Sequence, residues 1–155
     1  MAMKKIFVPF ILILMLATLS CTKELDQQPH LIYYDNYYQT GDDALTAVNA
    51  VYDVLGQVNQ YSSYLWLIQD IGSDDCNARV TLNDPNLHEI NGYSIKTTNN
   101  YVAKIWQGSY LGISRANVVL DKVPGIAMDT LLKARILGEA RFLRGLYYFN
   151  LVRLF

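Results

Sequence analysis

From Ile136 to Leu154 the chain sets apolar residues on two faces of one helix, and few folds can accept such an element. Ile136, Ala140, Leu143, Tyr147, Leu151 and Leu154 recur at helical spacing and make one stripe. Phe142, Leu146 and Phe149 make a second on roughly the opposite flank, with Gly138 and Gly145 between them. A helix that is apolar on two sides needs a neighbour on each. Every large apolar side chain left bare forgoes ~1.5–3 kcal/mol of burial. No residue after Phe155 is there to cover the second face. The pattern therefore predicts the N-terminal part of a longer helical protein, truncated at its C-terminal end, whose next segment opens with a turn.

The stretch before this helix supplies one neighbour. Val102, Trp106, Tyr110, Ile113, Asn117 and Leu120 share a stripe, with Trp106 expected in the core and Asn117 as a buried amide bonded to a neighbouring loop or helix. Gly108, Gly112 and Ala116 form a second seam about a third of a turn round. Small residues at every fourth position let another helix come close. In a membrane the same spacing would suggest dimerisation, but Lys104, Gln107 and Arg115 on the remaining face mark a soluble helix. Val123-Pro124-Gly125 ends it, and Asp129 or Thr130 can cap the next.

Two shorter elements come earlier. Thr40 or Asp42 can cap a helix whose stripe is Leu45, Val48, Tyr52 and Leu55, ending near Gly56. "YLWLIQDIGSDD" is a second apolar segment, running from Tyr64 to a break at Gly72. From Cys76 to Asn100 the chain turns rich in Asn and Asp, with Pro85 and Gly92 and no helical period. That reads as a long irregular surface excursion, in which "EINGYSI" can form a small hairpin. Long irregular segments inside compact domains are usually functional.

The N-terminus is of another kind. Lys4 and Lys5 precede an apolar run from Ile6 to Leu19, then Ser20-Cys21. The run is short for a spanning helix of ~20 residues and has the layout of a secretory leader. A cysteine directly after a small residue predicts a lipoprotein leader over residues 1–20, with acylated Cys21 as the mature N-terminus; a plain signal peptide or an uncleaved anchor is the alternative. Residues 21–39, polar and then tyrosine-rich, read as an extended tether. Without Lys4 and Lys5, 11 of the 13 basic residues face all 14 acidic ones, a formal charge of −3. That is no footprint for nucleic acid. With Cys21 lipidated, Cys76 has no disulfide partner and reads as a small buried hydrophobe.

Chemistry is thinly represented. His30 lies in the tether and His88 in the excursion, and no nucleophile elbow, zinc-protease, P-loop or dinucleotide motif occurs. Cys76 with His88 has no activating context. Asp74, Asp75, Asn77 and Asp84 invite a calcium reading, but from Asp75 the sixth loop position is Val80 and the twelfth Asn86, where an EF-hand needs Gly and Glu. Glu139, Arg141 and Arg144 are expected as ion pairs and packing contacts, with Arg135–Glu139 an i,i+4 pair. No enzyme, metal or cofactor is expected.

Three motifs in order carry a resemblance: "KELDQQP" just after the cysteine, "WQGSYLGISRANVVLDKV", and "EARFLRGLYYFNLVRLF". Together they resemble the N-terminal part of the SusD/RagB family of cell-surface lipoproteins. The resemblance implies an all-α fold of tetratricopeptide-like helix pairs over residues 40–155. It implies an outer-membrane location held by the lipid anchor alone, a TonB-dependent (SusC-like) transporter as partner, and a glycan or other nutrient as ligand. Sugar binding needs flat aromatic faces and planar amides or carboxylates. The excursion offers Tyr93, Asn91, Asn99 and Asn100, and Tyr61 and Tyr64 stand before the second apolar segment. The competing reading is a helical-repeat scaffold for protein partners with no small ligand. Exposed aromatics beside Asn and Asp in the excursion would favour glycan binding; a continuous concave helical surface with a bare loop would favour the scaffold.

Overall fold

The computed structural model describes residues 37–76 and 84–155, which the expectations for the leader, Cys21 and most of the tether fall outside. The described residues form five α-helices: α1 (Gly41–Leu55), α2 (Tyr64–Ile71), α3 (Pro85–Asn91), α4 (Asn100–Lys122) and α5 (Thr130–Leu154). Among them there is no strand. The described residues form an all-α domain, as their sequence patterns predict.

Each start has a local cause. Thr40 caps α1 in a reciprocal capping box, its hydroxyl accepting from the Asp43 amide while Asp43 accepts from the Thr40 amide. Those bonds from Thr40, side chain first, hold the Asp43 carboxyl below its usual pKa. Asp84 caps α3, with Pro85 in the first turn where a missing amide costs nothing. Asn99 caps α4, and Asp129 caps α5 by accepting from the Leu132 amide at 2.8 Å.

A 3-10 turn, Val123–Gly125, follows α4 and leads into α5. Contacts then pair residues progressively farther from that turn: Asn117 with Arg144, Gly112 with Tyr147, Trp106 with Phe155. That order makes α4 and α5 an antiparallel hairpin. α1 packs across both, so the core is a three-helix cluster. It holds Ala44, Val48, Val51 and Val54 from α1, Ile113, Ala116 and Val119 from α4, and Ile136, Ala140, Leu143, Tyr147 and Leu151 from α5.

The α5 stripe is buried as its spacing predicts from Ile136 to Leu151, with Leu154 half-buried. The other two helices are rotated from expectation. On α1 the buried face is Ala44, Ala47, Val48, Val51 and Val54, while Tyr52 is exposed. On α4 the seam itself is the core face: Ile105, Gly108, Ser109, Gly112, Ile113, Ala116 and Val119. Trp106 is exposed rather than core, and Asn117 lies on the surface, accepting from Arg144 Nη1 at 2.9 Å. The reason is distance. Helices in close contact must meet through small side chains, so bulky aromatics go to the flanks.

Arg115 also departs from the solvent face assigned to it. Its guanidinium reaches α1, donating to the Ala50 carbonyl at 2.7 Å and pairing with Asp53 at 3.4 Å. Arg135 and Glu139 form the expected i,i+4 pair at 2.7 Å. The second α5 stripe is largely bare within the described residues: Phe142 is 69% exposed, Phe149 is exposed with Arg153 over its ring, and Leu146 is half-buried.

Candidate functional site

The excursion is more ordered than its composition suggests. Its second half is α3 followed by a bonded turn, with helix and bend where the hairpin was expected. Gly92 ends α3, and the next two amides close a Schellman motif: Ser94 N–H donates to the Glu89 carbonyl and Tyr93 N–H to that of Ile90. Such a motif needs one left-handed residue, normally glycine. Here it is Tyr93, with φ of 51°, the one non-glycine residue with positive φ among those described.

Tyr93 is also 65% exposed, and its hydroxyl donates to Asp74 Oδ1 at 3.3 Å. Partial burial and then that bond raise the phenol's pKa. A left-handed non-glycine residue costs on the order of 1–3 kcal/mol and is typical of functional sites. Glycine would cost nothing here, so the tyrosine at this position costs stability that a glycine would not.

Asn99 is the joint of the region. It is 1% exposed, and its amide nitrogen donates to the Asn86 carbonyl and to Glu89 Oε2, both at 3.0 Å. Its oxygen accepts from the amides of Tyr101 and Val102. The side chain is fully used in fastening α3 to the start of α4. The bond from Asn99, before the contributions of Lys96, keeps Glu89 ionised below its usual range. Asn100 adds a backbone tie, donating to Asn86 Oδ1 at 2.9 Å, and leaves its own side chain exposed.

Tyr64 meets this network through Tyr101, ring edge to face, centroids 4.7 Å apart. Tyr101 donates to Asp84 Oδ2 at 2.8 Å. Its phenol is pushed up to about 12, by burial first and by the Asp84 bond second. The same bond lowers the Asp84 carboxyl.

Tyr64, Asn99 and Asn100 therefore belong to one bonded cluster. Tyr93 bonds instead to Asp74, and Asn91 makes no side-chain hydrogen bond among the described residues. No ring contact joins Tyr64 to Tyr93 within those residues. Tyr61 is turned away, its hydroxyl exchanging bonds with the Asn150 amide on α5.

Cys76 is exposed, not a buried hydrophobe. It closes the segment after α2, where the chain runs Ser73-Asp74-Asp75 along the surface. Among the described residues no three His, Cys, Asp or Glu side chains gather as metal ligands. Two further rings are exposed: Trp66, and Trp106, which was expected in the core. A tryptophan beside a small-residue seam, as Trp106 is, signals a flank position.

Such an arrangement defines a class: a helical scaffold that carries its distinctive polar and aromatic groups on one irregular excursion. The comparison with known proteins makes it specific. Residues 34–155 match the SusD-like family described as "Starch-binding associating with outer membrane". The chain belongs to this SusD-like family, whose members are binding proteins and not enzymes. It is 30% identical over 151 residues to SusD-like protein P25 of Formosa agariphila, covering 91% of this chain and 28% of that protein. It is 28% identical over 154 residues to SusD-like protein P38 of the same organism, covering 97% of this chain and 29% of the relative. The chain thus spans under a third of the length of these curated relatives. No solved structure matches it.

Proposed function

We propose that this chain is the N-terminal part of a lipid-anchored surface protein that binds glycans for uptake through a TonB-dependent outer-membrane transporter. The carrying observation is Tyr93, an exposed ring on strained backbone whose hydroxyl donates to the Asp74 carboxylate. An aromatic face stacks on the C–H surface of a pyranose, while carboxylates and amides pair with its hydroxyls. In this reading Asn99 holds the platform, and Asn100 and Tyr64 lie along its α4 side. Exposed aromatic and polar groups on the excursion favour this over a protein-binding scaffold, which would present a bare loop.

Calorimetry on the full-length protein with maltohexaose, an α-glucan suited to the family's description, tests the reading. Tyr93→Ala should weaken binding about tenfold, by analogy with aromatic stacking on nucleic-acid bases. An unchanged dissociation constant removes Tyr93 from the site. The anchor is tested separately: fatty-acid label that persists in Cys21→Ala would place the lipid elsewhere.

A further inference from the structure

The turn between α1 and α2 is pinned to the core from inside. Gln60 is wholly buried, and its Nε2 donates to the Ile105 carbonyl at 3.1 Å and to the Ser109 hydroxyl at 3.3 Å. These two acceptors lie about one turn apart on α4. Gly108 makes the room: a Cβ built there would lie 2.5 Å from Gln60 Nε2 and 2.7 Å from Asn59 Nδ2. The neighbouring Tyr61–Asn150 bond ties the same turn to α5. Among the described residues no other side chain from Gly56 to Asp74 is hydrogen-bonded to α4.

An amide is a costly way to fill this place. Gln60 Oε1 and Asn59 Oδ1 are buried with no hydrogen-bond partner among the described residues, a penalty that an apolar side chain avoids. What the Gln60 amide adds is direction. Its nitrogen meets two fixed points on α4, whereas an apolar side chain would hold the turn as close without fixing its register.

A series of bonds runs from that pin to Asp74. The Gln60 carbonyl accepts from the amides of Ser63 and Leu65, at 3.3 and 3.1 Å, where α2 begins. Trp66 Nε1 donates back to the Ser62 carbonyl. At the far end Ser73 closes on the Asp70 carbonyl with both its amide and its hydroxyl, at 3.1 and 2.7 Å. Asp74 follows directly. Its contact with the Tyr93 hydroxyl is 3.3 Å long, beyond the usual O–H···O range of ~2.5–3.0 Å, so a small shift of α2 breaks it.

We propose that Gln60 is a positioning residue of the candidate site, acting through α2 to set the Asp74 carboxylate against Tyr93. For its functional meaning the inference rests on the glycan-binding reading, and it adds to that reading a wholly buried residue that touches no ligand.

Gln60→Met keeps the bulk and removes the amide. It strands no donor, because Ser109 can turn its hydroxyl back to the Ile105 carbonyl four residues earlier. The full-length variant should therefore melt at or above the parent. Placement is read from the Tyr93 phenol, which burial and then the Asp74 bond hold above its ordinary pKa. In a 13C NMR titration of the full-length protein labelled at tyrosine Cζ, Tyr93→Phe assigns the resonance. Asp74→Ala should lower the Tyr93 midpoint. Gln60→Met should lower it as far, and should lower it no further when added to Asp74→Ala. Ser109→Ala, which removes one of the two acceptors, should give a smaller shift in the same direction. Maltohexaose affinity in Gln60→Met should fall about fivefold, the worth of one hydrogen bond, in a variant that is no less stable.

A Tyr93 midpoint in Gln60→Met equal to the parent's overturns the positioning role, as does a further fall in the Asp74→Ala background. A Gln60→Met variant that folds but melts well below the parent shows that the amide serves stability, and overturns it too. If Gln60→Met does not fold, Ser109→Ala carries the same test, and an unmoved Tyr93 midpoint there is the overturning result. If the parent binds no maltohexaose, the glycan-binding reading fails alone, since the Tyr93 midpoints still decide whether Gln60 places Asp74.

Discussion

The far edge of the Tyr147 ring fills the space above Gly112: a Cβ built on that glycine would lie 2.7 Å or less from three ring atoms. Through this gap the ring crosses from α5 to α1, where its hydroxyl donates to the Val51 carbonyl at 2.8 Å. One side chain thereby joins all three core helices, and the absence of a side chain at Gly112 makes it possible. Tyr147 is wholly buried, and burial pushes its phenol's pKa up.

Gly112→Ala should therefore destabilise the protein, by about 1–3 kcal/mol, as overpacking of a filled core does. Gly138→Ala is the internal control. Its Cβ would meet nothing within 4 Å, so it should stabilise α5 by about 0.5–1 kcal/mol through helix propensity. Urea unfolding of both variants decides the matter. Equal midpoints would mean that the Tyr147 ring shifts aside without cost.

The same pair shows how far the sequence could be read. The apolar stripe of α5 is legible because its buried residues are large and regularly spaced, from Ile136 to Leu151. The faces of α1 and α4 are rotated from the expected ones because the largest side chains, Tyr52, Trp106 and Tyr110, sit beside the contact and the smallest sit in it. Hydrophobic size measures what a residue could bury, whereas helix approach is set by what lets backbones come near. The Gly108-Gly112-Ala116 seam held that information all along. α3 is only seven residues long, too short for a period to emerge, yet Asp84-Pro85 is a recognisable cap and first turn. The left-handed backbone at Tyr93 has no sequence signal, since the adjacent Gly92 would be the natural choice for it.

Asn99 should matter more for stability than for direct contact with a ligand. Asn99→Ala removes the α4 cap and leaves the part-buried Asn86 carbonyl and Glu89 carboxylate without that donor. Loss of a cap alone costs about 0.5–2 kcal/mol. Asn100→Ala keeps the backbone bond to Asn86 and should change stability by less than about 0.5 kcal/mol. Thermal melts of the two variants should differ clearly. A ranking with Asn100→Ala the worse would contradict the joint assigned to Asn99.

Tyr93 should show the opposite balance. Tyr93→Gly relieves the left-handed backbone and gives up a surface hydrogen bond of 3.3 Å to Asp74. Its melting temperature should equal or exceed that of the parent, whereas Tyr93→Ala, which keeps the strain and loses the ring, should melt lower. Both should lose the same glycan affinity. If Tyr93→Gly melts well below the parent, the ring is part of the core's support and the functional account of its strain fails.

The Tyr101–Asp84 pair makes the fold sensitive to alkali. A phenol raised from 10.0 to about 12 keeps its proton longer in the folded chain than in the unfolded one. Stability from this group is thus complete below pH ~10 and drains away as pH rises through the folded value, because there the native state binds more protons. Asp84 acts at the other end: its carboxyl is lowered, so its contribution is present above the ordinary carboxylate range and lost as pH falls through the depressed value. Asp84→Asn removes the charge, keeps an amide oxygen that can still accept from Tyr101, and leaves the burial that is the larger cause of Tyr101's shift. In a tyrosinate absorbance titration the Tyr101 midpoint should accordingly fall yet stay above that of a free tyrosine. A midpoint unmoved by Asp84→Asn would show that the Asp84 charge does not govern the phenol, and the tie between α3 and α4 would rest on the bonds of Asn99 and Asn100 to Asn86.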